Sequence, residues 1–223
     1  MAPHALSLND TRRRWLRIAA LALLLPCAPA LAQPKPPAIL IIGDSISAGY
    51  GLPAGTGWTA LLQERLVAQR YAYRVVNASI TGDTTAGGLA RLPGLLEADR
   101  PEITVIELGG NDGLRGGSLD AMARNLDAMV AAAQHAGSRV LLVGMRLPSN
   151  YGADYVRRFA ATFAEVAAKR KTALVPFLFE GFGDDSAMFQ PDRIHPVAAA
   201  QSRLLDNVWG ALKALLAAPG KHR

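Results

Sequence analysis

The chain has 223 residues, 50% of them hydrophobic and 19% charged, with a formal net charge of +6, which suits one globular domain with a sizeable core. Four of the 24 Lys and Arg and one of the 18 acids precede residue 33, so the remainder carries only +3 and no basic cluster, which argues against a nucleic-acid partner. The single cysteine, Cys27, lies in that same N-terminal stretch, and its loss leaves neither a disulfide framework nor a Cys-based metal site.

The first 32 residues read as an export leader. Arg12, Arg13, Arg14 and Arg17 precede the apolar run Ile18–Leu25, and Ala30-Leu31-Ala32 offers a small-residue cleavage site; these are the three parts of a secretory signal peptide. The apolar run is too short for a membrane span. Cleavage after Ala32 divides the chain into a signal peptide, 1–32, and a single domain, 33–223, exported to the periplasm. Thr11 to Arg17 also resembles a twin-arginine signal, and the general secretory and twin-arginine routes both stay open.

After a Pro-rich arm, Ala38–Gly43 is a doubly apolar run, the pattern of a strand buried on both faces of a parallel sheet. It delivers Asp44 and Ser45 into a Gly-containing turn, where Ser45 suits either a nucleophile at the strand end or the N-cap of the next helix. Helical spacing covers Trp58–Gln69, and Tyr71–Val76 reads as a second strand ending in the loop Asn77–Asp83. A helix through Leu89, Leu92, Leu95 and Leu96 carries Pro93, which predicts a break or restart. Ile103–Leu108 is a third strand ending in Gly109-Gly110-Asn111-Asp112-Gly113. Ser118 is placed to cap the following helix, which Gly137 stops. Arg139–Gly144 is a fourth strand, Tyr155 to Val166 another helix, and Ala173–Phe179 a fifth strand interrupted by Pro176. Glu180–Pro196 is mostly irregular, and a last helix spans about Val197–Leu216. This alternation predicts one α/β domain, a three-layer α/β/α sandwich around a parallel five-stranded sheet.

In such a sheet the loops after successive strands share one edge, which gathers Ser45, Gly82 and Asn111. Of the histidines beyond the leader, His222 is in the tail and His135 in the last turn of a helix, leaving His195 in Asp192-Arg193-Ile194-His195-Pro196. A serine hydroxyl needs a base, and the base an orienting group; His195 and Asp192 supply both residue types, although a metal pair or a helix cap would look the same. A developing oxyanion needs donors, and the backbone N–H groups of Ser45 and Gly82 and the Asn111 amide offer three. Asp44, Asp83 and Asp112 read as turn-fixing acceptors. No phosphate loop, dinucleotide fingerprint or metal-ligand cluster is present, and no cofactor is expected.

GDSISAGYGL with Ser45, NASITGD with Gly82, GGND with Asn111, and DRIHP with Asp192 and His195 resemble, in order, the four blocks of the SGNH (GDSL) hydrolase family. NASITGDTTAGGLARLP, VIELGGNDGLRG and RLPSNYG resemble its periplasmic thioesterase–lysophospholipase (arylesterase) branch. The resemblance implies a flavodoxin-like sheet and hydrolysis of acyl esters and thioesters through a covalent acyl-enzyme. It gives Ser45, Asp192 and His195 as catalytic residues and Ser45, Gly82 and Asn111 as the oxyanion hole. It further implies that the loops bearing Gly113, Leu114, Arg115, Gly116, Leu147 and Pro148 meet the acyl chain. Two alternatives stay open: an O-deacetylase acting on carbohydrate or cell wall, and a non-catalytic binding protein on the same scaffold. The expected partners are small-molecule or lipid acyl substrates, with no membrane span once the leader is removed.

Overall fold

The computed structural model describes residues 35–216, so the leader assigned to 1–32 and His222 lie outside the described residues. Its organising element is β1 (Ala38–Gly43), AILIIG, with all six residues buried. β2 (Arg74–Asn77) pairs with one side of it and β3 (Ile103–Glu107) with the other. β4 (Arg139–Val143) and β5 (Ala173–Val175) extend the sheet in the order β2-β1-β3-β4-β5, with every pairing parallel. This is the flavodoxin-like order, whose direction reverses beside β1. The central strands β1 and β3 are buried throughout, whereas the edge strands are only partly so, as expected of a sheet covered on both faces.

α2 (Trp58–Ala68) and α7 (Gln201–Leu215) pack together over one face. α3 (Thr85–Asp99), α5 (Leu119–His135) and α6 (Ala153–Arg170) cover the other. The predicted Ser118 cap is formed, its hydroxyl accepting the Ala121 N–H. Trp58, Phe159 and Phe163 are among the largest fully buried side chains. The two phenylalanines meet edge-to-face at 5.4 Å, a geometry that adds to the roughly 1.5–3 kcal/mol of burying each ring.

The structure departs from the pattern-based reading at several places, three of them with a clear local reason. Pro93 neither breaks nor restarts α3, which runs unbroken from Thr85 to Asp99. Its ring lies on the exposed face, where water can serve the carbonyl that the missing N–H leaves free. β2 starts at Arg74 rather than Tyr71, because the Tyr71 N–H is used to close α2 on the Leu66 carbonyl. β5 ends at Val175 rather than Phe179. The Gly144 N–H takes the Val175 carbonyl at 2.7 Å, and the Leu178 N–H returns to the Gly144 carbonyl at 2.9 Å. The chain therefore turns over Gly144 and sends Phe177 and Phe179 toward the C-terminal edge of the sheet.

Candidate active site

β1 ends at Gly43, and the chain enters α1 (Ser45–Ala48), a single helical turn. Asp44 is the N-cap, its Oδ1 accepting the Ile46 N–H at 3.0 Å. Capping therefore falls to Asp44, and the Ser45 hydroxyl is left for another partner. That partner is His195, whose Nε2 lies 2.9 Å from Ser45 Oγ. The His195 Nδ1 lies 2.7 Å from Asp192 Oδ2. Asp192 Oδ1 accepts the N–H groups of Ile194 and His195 at 2.9 and 3.0 Å. With Asp192 accepting at Nδ1–H, the hydrogen-bond network assigns the free lone pair to Nε2, facing the serine.

The irregular segment that carries His195 is tied in place. Phe189 and Pro196 form an antiparallel bridge, the Gln190 N–H donates to the His195 carbonyl at 2.7 Å, and the Gln190 side-chain amide donates to the Tyr50 carbonyl at 2.8 Å. Arg193 adopts a left-handed conformation at φ 59° inside this closed loop. Tyr50 lays its ring against the imidazole, with centroids 4.4 Å apart. Burial pushes the Asp192 carboxyl up, but hydrogen bonds from His195 and from two backbone N–H groups outweigh it and bring it down to about 2. The group facing the imidazole therefore stays anionic across the neutral range.

The three groups expected to donate to an oxyanion are held in two ways. The backbone N–H groups of Ser45 and Gly82 have no acceptor among the described residues. Gly82 holds φ 80°, a left-handed conformation suited to glycine. Asn111, in the short helix α4 (Gly110–Leu114), donates from Nδ2 to the Asp83 carbonyl at 2.9 Å and to Asp44 Oδ2 at 3.2 Å. The Asp44 side chain thus reaches beyond its own turn, as does that of Asp112, which accepts from the Thr85 N–H and hydroxyl at the start of α3. Burial, chiefly, pushes the Asp44 carboxyl up to about 6.

A cavity of about 550 Å³ opens beside Ser45 and His195. Of the six residues expected to meet an acyl chain, Leu114, Leu147 and Pro148 line it. Gly113 lies beneath instead, where an added Cβ would meet Phe159 at 2.6 Å and Leu147 at 2.9 Å. Arg115 turns to the Gly82 carbonyl, 3.0 Å away, and Gly116 is exposed, with open space around it. Much of the remaining wall comes from residues that sequence reasoning missed, notably Met145, Phe177, Phe179 and Phe189. Their segment has no periodicity to signal which side chains point inward. The rim is charged: the Arg146 guanidinium stacks over Phe177, 4.4 Å from the ring centroid.

A parallel α/β sandwich with a Ser–His–Asp chain at the carboxyl end of its first strand defines a serine ester hydrolase. Residues 41–203 match the model of the GDSL-like Lipase/Acylhydrolase family. The chain is 53% identical over 204 residues to Esterase TesA of Pseudomonas aeruginosa, covering 92% of this chain and all of that one. It is 40% identical over 168 residues to the thioesterase 1/protease 1/lysophospholipase L1 of Escherichia coli, covering 75% of this chain and 79% of that one. The crystal structure of TesA superimposes with a TM-score of 0.79 at 56% identity, over 80% of this chain and 99% of that one. The chain belongs to the GDSL-like lipase/acylhydrolase family, the SGNH hydrolases.

Proposed function

We propose that the enzyme cleaves carboxylic esters and thioesters of medium-length acyl groups, with Ser45 as nucleophile, His195 as general base and acid, and Asp192 as orienter. The observation that carries the reading is the continuous Ser45–His195–Asp192 contact, 2.9 Å then 2.7 Å. As Ser45 Oγ attacks the acyl carbon, its proton passes to His195 Nε2, and the carbonyl π pair moves onto oxygen. The N–H groups of Ser45 and Gly82 and the Asn111 amide receive that oxyanion. Collapse expels the alcohol or thiol, which takes the proton from Nε2. Water, deprotonated at the same nitrogen, then releases the acid and regenerates Ser45.

Medium acyl chains are supported by the cavity. At about 550 Å³ it falls within the usual range of small-molecule sites, roughly 300–1,000 Å³, and an acetyl group would leave most of it unfilled. Lysophospholipid and aryl esters fit the same chemistry. Export to the periplasm, with cleavage after Ala32, is part of the same reading and rests on the Arg-rich start and Ala30-Leu31-Ala32.

One experiment addresses all three statements. Exported enzyme is reacted with a fluorophosphonate, its intact mass is measured, and turnover is followed on an ester series from acetyl to dodecanoyl. We expect one adduct on Ser45, none in Ser45→Ala, a mature N-terminus at Gln33, and turnover peaking at medium chains. Turnover confined to acetyl esters would move the enzyme to the deacetylases.

A further inference from the structure

Glu107 is the last residue of β3, is 0% exposed, and takes no part in the chemistry described above. Its Oε2 accepts the Ser47 hydroxyl at 2.7 Å and faces the Asp44 N–H at 3.4 Å, while its Oε1 is buried without a partner among the described residues. Among the described residues no Lys, Arg or His shares a hydrogen bond or ion pair with it. Such a group is expensive: a buried carboxyl with no cation and one unsatisfied oxygen costs stability that an apolar side chain of similar size would not. The cost calls for a compensating role, and the neighbours indicate which.

Both groups that face Oε2 belong to the turn that carries Ser45. Gly43, the register partner of Glu107 across β1 and β3, has no room for a side chain, since a Cβ there would meet Glu107 Oε2 and Ser47 Cβ at 2.8 Å each. The carboxyl is thus wedged under the turn. Asp44, next in the chain, accepts Asn111 Nδ2 with its other end, and Asn111 follows Glu107 by one short loop. The structure assigns to Glu107 the role of a positioning residue, whose carboxyl clamps the exit of β1 to the exit of β3 and so fixes the spacing between the Ser45 hydroxyl and the Asn111 donor. Burial, reinforced by the neighbouring charge of Asp44, raises the Glu107 carboxyl well above the ordinary carboxylate range.

The inference rests on Ser45 being the nucleophile, and its test keeps the two apart. Active sites are counted with a fluorophosphonate, and kcat per labelled site and KM are measured for the wild type, Glu107→Leu, Glu107→Gln and Ser47→Ala. Leucine fills the space but accepts no hydrogen bond; glutamine keeps the acceptor. We expect Glu107→Leu to lose between about tenfold and a hundredfold in kcat per labelled site, the scale of a misplaced reacting group, with KM within about threefold. Glu107→Gln should recover most of that loss. Ser47→Ala, which leaves the strand untouched, should lower kcat per site at least about threefold, and it decides the matter if the leucine variant does not fold. Unchanged kcat per labelled site in either Glu107→Leu or Ser47→Ala overturns the role, a lowered melting temperature alone being a packing effect. A wild type that takes no label at Ser45 removes the nucleophile assignment instead.

Discussion

Asn111 holds the two neighbouring acceptors of its amide, the Asp83 carbonyl and Asp44 Oδ2, so its side chain is oriented before substrate arrives. A turn role for Asn111 predicts that Asn111→Ala lowers stability and spares turnover. An oxyanion donor predicts a melting temperature within a few degrees of wild type, KM little changed, and kcat down by roughly 10²–10³-fold, with the Ser45 and Gly82 N–H groups sustaining the remainder. Burst kinetics and a melting curve on one preparation separate the two, and a folded variant with full turnover excludes the donor. Ser45, Gly82, Asn111, Asp192 and His195 were legible in the sequence because each stands in a short block beside glycine or proline. Tyr50 and Gln190 were not. Their roles, a ring against the imidazole and an amide bridging two loops, depend on a contact between residues 140 apart, and no local pattern encodes it.

At the scale of elements, strands and helices were legible wherever an apolar period persisted, and boundaries were lost where one hydrogen bond decided them. Gly144 is such a point. An added Cβ there would meet the Pro176 carbonyl oxygen at 2.5 Å, a backbone atom that cannot swing aside. Gly144→Ala should therefore destabilise the enzyme by about 1–3 kcal/mol, as overpacking does. It should also raise KM for medium-chain esters more than for acetyl esters, because Phe177 and Phe179 of the cavity wall follow the displaced turn. Urea denaturation and a chain-length series measure both effects. Equal KM changes for short and long chains would detach that turn from acyl selection. The cavity wall was the least legible part of the site for the same reason. Phe177, Phe179 and Phe189 stand in a segment without an apolar period, and the reversal over Gly144 carries the first two toward the cavity.

For the whole molecule, the alternation of strands and helices conveyed the layers, while the strand order came with the family resemblance. A further property of the whole is its response to acid. The Asp44 carboxyl is raised from 3.8 to about 6, so its contribution to stability is complete below pH 3.8 and is lost as pH rises through about 6. The Asp127 carboxyl, hydrogen-bonded by Arg170 and Lys169, and that of Asp192 are lowered from 3.8 to about 2. Their contributions are complete above 3.8 and are lost as pH falls through about 2. The urea midpoint should accordingly rise from pH 7 to between pH 4 and 5, then fall below pH 3.8. The Glu107 carboxyl is raised as well and acts in the same direction, so Asp44→Asn should reduce the rise and keep the fall; an undiminished rise in that variant would assign it elsewhere. Finally, Ser45 and His195 stand 150 positions apart, the serine just after the first strand made and the histidine just ahead of the final helix, α7. A growing chain therefore carries the proposed nucleophile long before the proposed base exists. Under the proposed roles the hydroxyl lacks its base through most of synthesis, and hydrolytic power waits until the Asp192–His195 loop meets the turn after β1.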